Sequence, residues 1–220
     1  FGNPLAAVEV ADLASDRGTE SILIEFERAN ALAKLGNWDR ALEAIQRSLS
    51  LEWPIHLAGD RSIEAFKRHA LQGQILAQLG RVEEALESMD HAVRNAPNHT
   101  SLQLARGVLY RHLGRDAEAQ ADFDAVADDP YFGFEARLHL GQLQTKRYNF
   151  KAAADIFRSA WLMEPSSPDA WSYWCEALEA SNDDQALLRA YEELFEHRAP
   201  DAKLLTNYGR ALERARQIEE

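Results

Sequence analysis

Residues 71–97, Leu71 to Pro97, read LQGQILAQLGRVEEALESMDHAVRNAP, and their spacing decides the fold. Ala70, Gly73, Leu76, Ala77 and Leu79 form an apolar stripe at helical spacing, and Gly80 ends that helix as a C-terminal glycine. Val82, Ala85, Leu86, Met89, Ala92 and Val93 give a second helix its own stripe, and Pro97 stops it. Small residues at Gly73, Ala85 and Ala92 let the two helices approach closely, with Leu and Met filling between them. A pair of this kind cannot bury both apolar faces alone, so it requires neighbours built the same way.

Those neighbours are present. Units of the same spacing begin at Phe66, Thr100, Phe134, Pro168 and Ala202, each 34 residues after the last, and another begins at Ile22. Counting Phe66 as position 1, the quoted copy has Gly73, Ala85, Met89, Ala92 and Pro97 at positions 8, 20, 24, 27 and 32. This pattern resembles the tetratricopeptide repeat, a 34-residue helix–turn–helix unit. That family prefers small residues at positions 8, 20 and 27, a large apolar one at 24 and Pro near 32. The Ile22 unit matches through Ala29, Leu32, Gly36, Trp38, Ala41, Leu42 and Ile45. The Thr100 unit does so through Gly107, Tyr110, Gly114, Ala119 and Phe123, and the Phe134 unit through Gly141, Tyr148, Ala153, Phe157, Ala160 and Pro165. The Pro168 unit has Trp171, Cys175, Leu178 and Tyr191, with Asn182 in the turn, where Asn tolerates the left-handed conformation. The resemblance implies an all-α, right-handed superhelix (solenoid) of about five repeats, one domain spanning 1–220.

The ends and one joint depart from the period. Phe1-Gly2-Asn3 aligns with Leu35-Gly36-Asn37, so residues 1–21 read as the second half of a repeat. Asn3 and Pro4 would also start a helix unaided, but the kept register favours a repeat cut short over a free-standing cap. The chain does not begin with Met, as expected of a processed or truncated product. Gly36 to Gly80 spans 44 residues rather than 34, placing an insertion within 51–65. Trp53-Pro54 forbids simple helix continuation, and Gly59-Asp60 reads as a turn and N-cap, with Arg61–Phe66 extending the next helix backwards. Insertions in such arrays often carry specificity, which makes Trp53, His56 and Arg61 candidate contacts. Residues 202–220 form one more helix, ending in the charged ERARQIEE, either a polar cap or another half repeat.

Composition narrows the function. Acidic residues outnumber basic ones by 36 to 24 for a net charge of −12, which argues against a general nucleic-acid binder. No apolar run of about 18 residues occurs, so no membrane insertion is expected. Cys175 is the single cysteine; no intrachain disulfide or thiolate metal cluster is possible, and one thiol suits cytoplasm and periplasm alike. Phosphate-loop, dinucleotide, HExxH and CxxC signatures are absent. No histidine pairs with another His or with Cys at i, i+4. No catalytic residue, metal or cofactor is therefore expected, and the chain reads as a non-enzyme.

Binding is the remaining function. In tetratricopeptide arrays the concave groove is lined by the first helices at positions 2, 5, 9, 12 and 13. Carried over, those positions nominate Phe26, Asn30 and Lys34, then Lys67, Gln74 and Gln78, then Arg111 and His112, and then Gln142 and Lys146. The fifth unit is acidic there, with Asp169, Glu176 and Glu179. Asn30, Gln74 and Gln142 recur at position 9, where amides suit the backbone of an extended peptide. The carboxylate clamp of chaperone-binding members is missing: Phe26 stands for its Lys, Leu71 for its Asn, and Ser101 and Ala105 for its last two basic sites. The asparagine ladder of sugar-transferase members is missing too, position 6 reading Glu27, Leu71, Ala105, His139, Tyr173 and Asn207. Among the aromatic residues from Tyr131 to Trp174, Trp161, Trp171 and Trp174 fit core positions, while Tyr173 faces the groove. The expected role is a scaffold that holds a peptide or partner protein. Two alternatives stand beside it. One is a regulatory or substrate-presenting module of a larger glycosyltransferase, sulfotransferase or hydroxylase. The other is an assembly platform, a homo-oligomer formed through exposed end helices.

Overall fold

The computed structural model describes residues 3–19, 21–52, 61–197 and 199–219. Among them are twelve α-helices and no strand. The chain divides into two compact units, Phe1–Asp122 and Phe123–Glu220. The first holds α1 (Pro4–Asp16), α2 (Ile22–Lys34), α3 (Trp38–Ser50), α4 (Arg68–Gln78), α5 (Val82–Asn95), α6 (Thr100–His112) and the start of α7 (Asp116–Val126). The second holds the end of α7, then α8 (Gly133–Lys146), α9 (Phe150–Met163), α10 (Pro168–Ala180), α11 (Asp184–His197) and α12 (Ala202–Glu219).

The turns between paired helices share one geometry. Gly36, Gly80 and Gly114 take φ of 72°, 74° and 72°, and Asn182 takes 55°. After each, the next residue's N–H reaches back to the carbonyl five residues earlier: Asn37 to Leu32, Arg81 to Leu76, Arg115 to Tyr110 and Asp183 to Leu178. This closes a helix end by satisfying a carbonyl that has no intrahelical partner. Tyr148 occupies the same site at φ 61°, and Asn149 completes the bond to Gln144. Helix starts are equally local. Asn3 Oδ1 accepts from Leu5 N at 3.0 Å ahead of Pro4, and Ser167 Oγ accepts from Ala170 N ahead of Pro168.

Packing follows the small residues. In the first unit Leu32, Ile45, Ile75 and Met89 are fully enclosed, with Ala29, Ala41, Ala85 and Ala92 at the helix contacts. A Cβ on Gly73 would sit 3.0 Å from the Ala85 carbonyl oxygen, which is why that site is glycine. In the second unit Trp161 is completely buried among Phe157, Trp171, Trp174 and Tyr191. Trp161 Nε1 donates to the Pro165 carbonyl, so its one polar atom is satisfied. Gly141 is still tighter than Gly73: a Cβ there would meet the Phe157 ring at 2.4 Å.

Residues 53–60 lie outside the described part, and with them Trp53 and His56. Arg61 and Ser62 are helical and run through a π-helical turn, Ile63–Lys67, into α4. The joint is tied by Arg68. Its buried guanidinium donates to the Ser48 and Leu51 carbonyls at the end of α3, and Ser48 Oγ donates to the Ile22 carbonyl at 3.0 Å.

Candidate partner-binding surface

In the first unit, the nominated side chains lie on α2, the π turn before α4, α4 and α6. Asn30 is half-buried and Lys34 exposed; Gln74 and Gln78 are both exposed, one turn apart on α4. Lys67 and Arg111 are half-buried, and His112 is exposed. Phe26 is the correction. It is only 9% exposed and belongs to the core, as do Ala70 and Leu104 at the equivalent site. In these three repeats position 5 faces inward, so a large apolar side chain there packs rather than binds. Arg61 is exposed and pairs with Glu64 at 3.0 Å, an i,i+3 contact on its own helix.

Lys34, Arg111 and His112 fall in the last turns of α2 and α6. Cations there complement the partial negative charge of a helix C-terminus, so the fold itself favours basic residues at this edge. Lys146 has the same place on α8 in the second unit. Gln142, half-buried on α8, lies 3.5 Å from His139 Nδ1. Tyr173 is half-buried on α10 and packs against Phe157 with ring centroids 5.3 Å apart. Tyr131 is the exposed member of the aromatic set, whereas Trp161, Trp171 and Trp174 are core.

Two polar clusters escaped the sequence reading because their members come from different helices. Arg106 of α6 donates to both carboxylate oxygens of Asp122, from Nη2 at 2.6 Å and Nε at 2.8 Å, and from Nη1 to Asp90 at 3.1 Å. Tyr110 donates to the same Asp90 oxygen at 3.3 Å. These carboxylates hold the guanidinium proton more tightly than usual. In the other cluster, His69 of α4 stacks on His91 of α5 with centroids 3.8 Å apart. Burial, together with His91, Arg68 and Arg94, brings the His69 pKa down to about 4, so the ring is neutral at physiological pH. Among the described residues no group of three His, Cys, Asp or Glu side chains is arranged to hold a metal ion. Cys175 is buried, and burial beside Glu179 and Glu176 pushes its thiol far above the reactive range. No described helix is long and apolar enough to cross a membrane.

Comparison with known proteins agrees with this architecture. The tetratricopeptide repeat family model matches residues 70–131. The chain is a tetratricopeptide repeat protein. Its fold class is the all-α superhelix of helix–turn–helix repeats. It is 33% identical over 105 residues to a tetratricopeptide repeat protein 36 homolog of Drosophila melanogaster, covering 46% of this chain and 51% of that protein. The chain thus spans about half the length of that relative. Among solved structures, it is similar to the C-terminal part of a TPR repeat-containing protein from Cytophaga hutchinsonii. That match has a TM-score of 0.72 at 20% identity and covers 88% of this chain and 74% of the other. YrrB, described as a TPR protein with an unusual peptide-binding site, matches with a TM-score of 0.67 at 18% identity, covering 92% and 99%. A MamA structure matches with a TM-score of 0.67 at 14% identity, covering 80% and 91%.

Proposed function

We propose that this protein is a non-catalytic interaction scaffold that holds an extended peptide segment of a partner protein on its first helices. The observation that carries this reading is the amide pair Asn30 and Gln74. They sit at the same repeat position on α2 and α4, open to solvent wholly or in part, while the opposite sides of those helices are core. A side-chain amide offers both a donor and an acceptor, matching the two groups each peptide unit presents along an extended backbone. Lys34, Gln78 and His112 add polar and basic groups one turn further along each helix. Membership of a family that includes YrrB, with its described peptide-binding site, supports the same reading.

The test is selection of peptides from a displayed random library on the intact chain, followed by affinity measurement on variants. Replacing Asn30, Gln74 and Arg111 together by Ala removes several hydrogen bonds of about 0.5–1.5 kcal/mol each, so affinity is expected to fall about tenfold or more. The melting temperature should stay within a few degrees of the parent. Unchanged affinity would place the binding site elsewhere, and no selectable peptide would argue against this function.

A further inference from the structure

We infer that the second unit carries a docking pocket at the turn between α9 and α10, and that it takes an aromatic side chain from a basic segment of a partner protein. The pocket is about 470 Å³ in volume, within the roughly 300–1,000 Å³ of small-ligand sites. Trp171 and Leu194 are its buried part; His197 and the 165–168 turn, with a proline at each end, are its rim. Among the described residues no Lys, Arg, Asp or Glu lines it. Trp171 meets Trp161, Trp174 and Tyr191 edge to face, and His197 stands against Trp161 with centroids 4.9 Å apart. A further ring entering between the prolines and Trp171 continues that edge-to-face packing.

The pocket is a property of this one repeat. Trp171, Leu194 and His197 hold positions 4, 27 and 30 of it. In the preceding repeat Arg137, at position 4, donates to the Ala127 carbonyl at 3.1 Å and to Asp128 at 2.9 Å, tying the entering turn to the helix. Met163, at position 30, closes over Gly133 there, its Cε 3.3 Å from where a Cβ would lie. Trp171 keeps its ring with the aromatic core instead, and the space under the 165–168 turn stays open. Charge then selects the partner. Glu164, Asp169 and Glu196 are exposed chain neighbours of Pro165, Pro168 and His197, and none of them is ion-paired among the described residues. They favour Lys or Arg on either side of the anchor. Apolar surface continues beyond the pocket: Leu162, in the last turn of α9, is 50% exposed, and Tyr131, two residues before Gly133, is 87% exposed. One buried aromatic anchor inside a polar rim is how protein interfaces concentrate their affinity. The site shares no residue with the surface on α2 and α4 and is independent of the peptide-binding reading.

Fluorescence anisotropy of a fluorescein-labelled peptide, Ala-Lys-Lys-Trp-Lys-Lys-Ala, titrated with the 220-residue chain tests this. The chain should bind it, and peptides with Ala for Trp, or with Glu for every Lys, should bind about tenfold more weakly or worse. Ser166→Trp places a ring of the chain's own at an exposed point of the rim. It should weaken binding about tenfold with unchanged helical circular dichroism. Glu164→Lys with Glu196→Lys, both exposed, should lower affinity for the Lys peptide and raise it for the Glu peptide. No binding of the Lys peptide overturns the inference. So does binding that survives loss of the peptide's Trp, or that ignores the sign of its flanking charges. Binding lost on Asn30→Ala with Gln74→Ala but kept by Ser166→Trp overturns it as well, because the peptide then sits on the first unit. Should Ser166→Trp lose helicity, His197→Ala removes an exposed part of the rim instead and should weaken binding in the same way.

Discussion

Tyr148 is the residue most at odds with its own backbone. It adopts φ 61° at a turn where the other repeats place Gly or Asn, and its side chain is exposed. A left-handed conformation costs a side-chain-bearing residue roughly 1–2 kcal/mol, and its edge contact with Phe150 offsets little of that. Tyr148→Gly is expected to stabilise the protein by about 1 kcal/mol in urea denaturation, less the entropy that glycine returns to the unfolded chain. The turn was legible in sequence from Gly36, Gly80 and Gly114, but a tyrosine filling that site is visible only through its backbone angle. His69 makes a second single-residue case. Its folded pKa is about 4 against an ordinary 6.5, so on acidification the unfolded chain takes up the proton first. That part of the stability is complete above pH 6.5 and drains away as pH falls toward 4. His69→Phe keeps a ring against His91 without the proton. The melting temperature of the variant should fall less than the parent's between pH 7 and pH 5.

Among helices, close approach is graded by what lies opposite each glycine. Gly141→Ala drives a Cβ into the enclosed Phe157 ring, whereas Gly73→Ala presses on a carbonyl at 3.0 Å and Gly209→Ala enters open space. Guanidinium unfolding should rank them in that order. The first should cost about 1–3 kcal/mol by overpacking, and the last should cost nothing or gain from better helix propensity. The joint between α3 and α4 depends on Arg68. Arg68→Met leaves the Ser48 and Leu51 carbonyls short of a donor and should cost roughly 2 kcal/mol. Helix existence, pairing and turn chemistry were all readable from periodicity because each is a local property of the chain. The Arg68 tie was not, since nothing in the spacing of α4 announces that a guanidinium will reach back to the end of α3. The same holds for the stacked His69 and His91. Phe26 shows the opposite failure: a family position rule assigned it to the binding face, while its large apolar ring found the core.

For the whole molecule, the division into two compact units with separate cores predicts that unfolding is not all-or-none. Three of the five tryptophans, Trp161, Trp171 and Trp174, lie in the second core, so fluorescence reports mainly on that unit while circular dichroism reports on every helix. Urea transitions followed by the two probes should fail to superimpose; coincident curves would mean that the units unfold together. One side chain turns this difference into a clock. Cys175 carries the chain's sole thiol, shut inside the second unit and held in its protonated form. An alkylating reagent can reach it only when α10 comes away from its neighbours, and no other sulfhydryl competes for the label. The rate at which the intact chain gains one adduct in native buffer thus measures how often that part of the array opens, without denaturant and without any engineered probe.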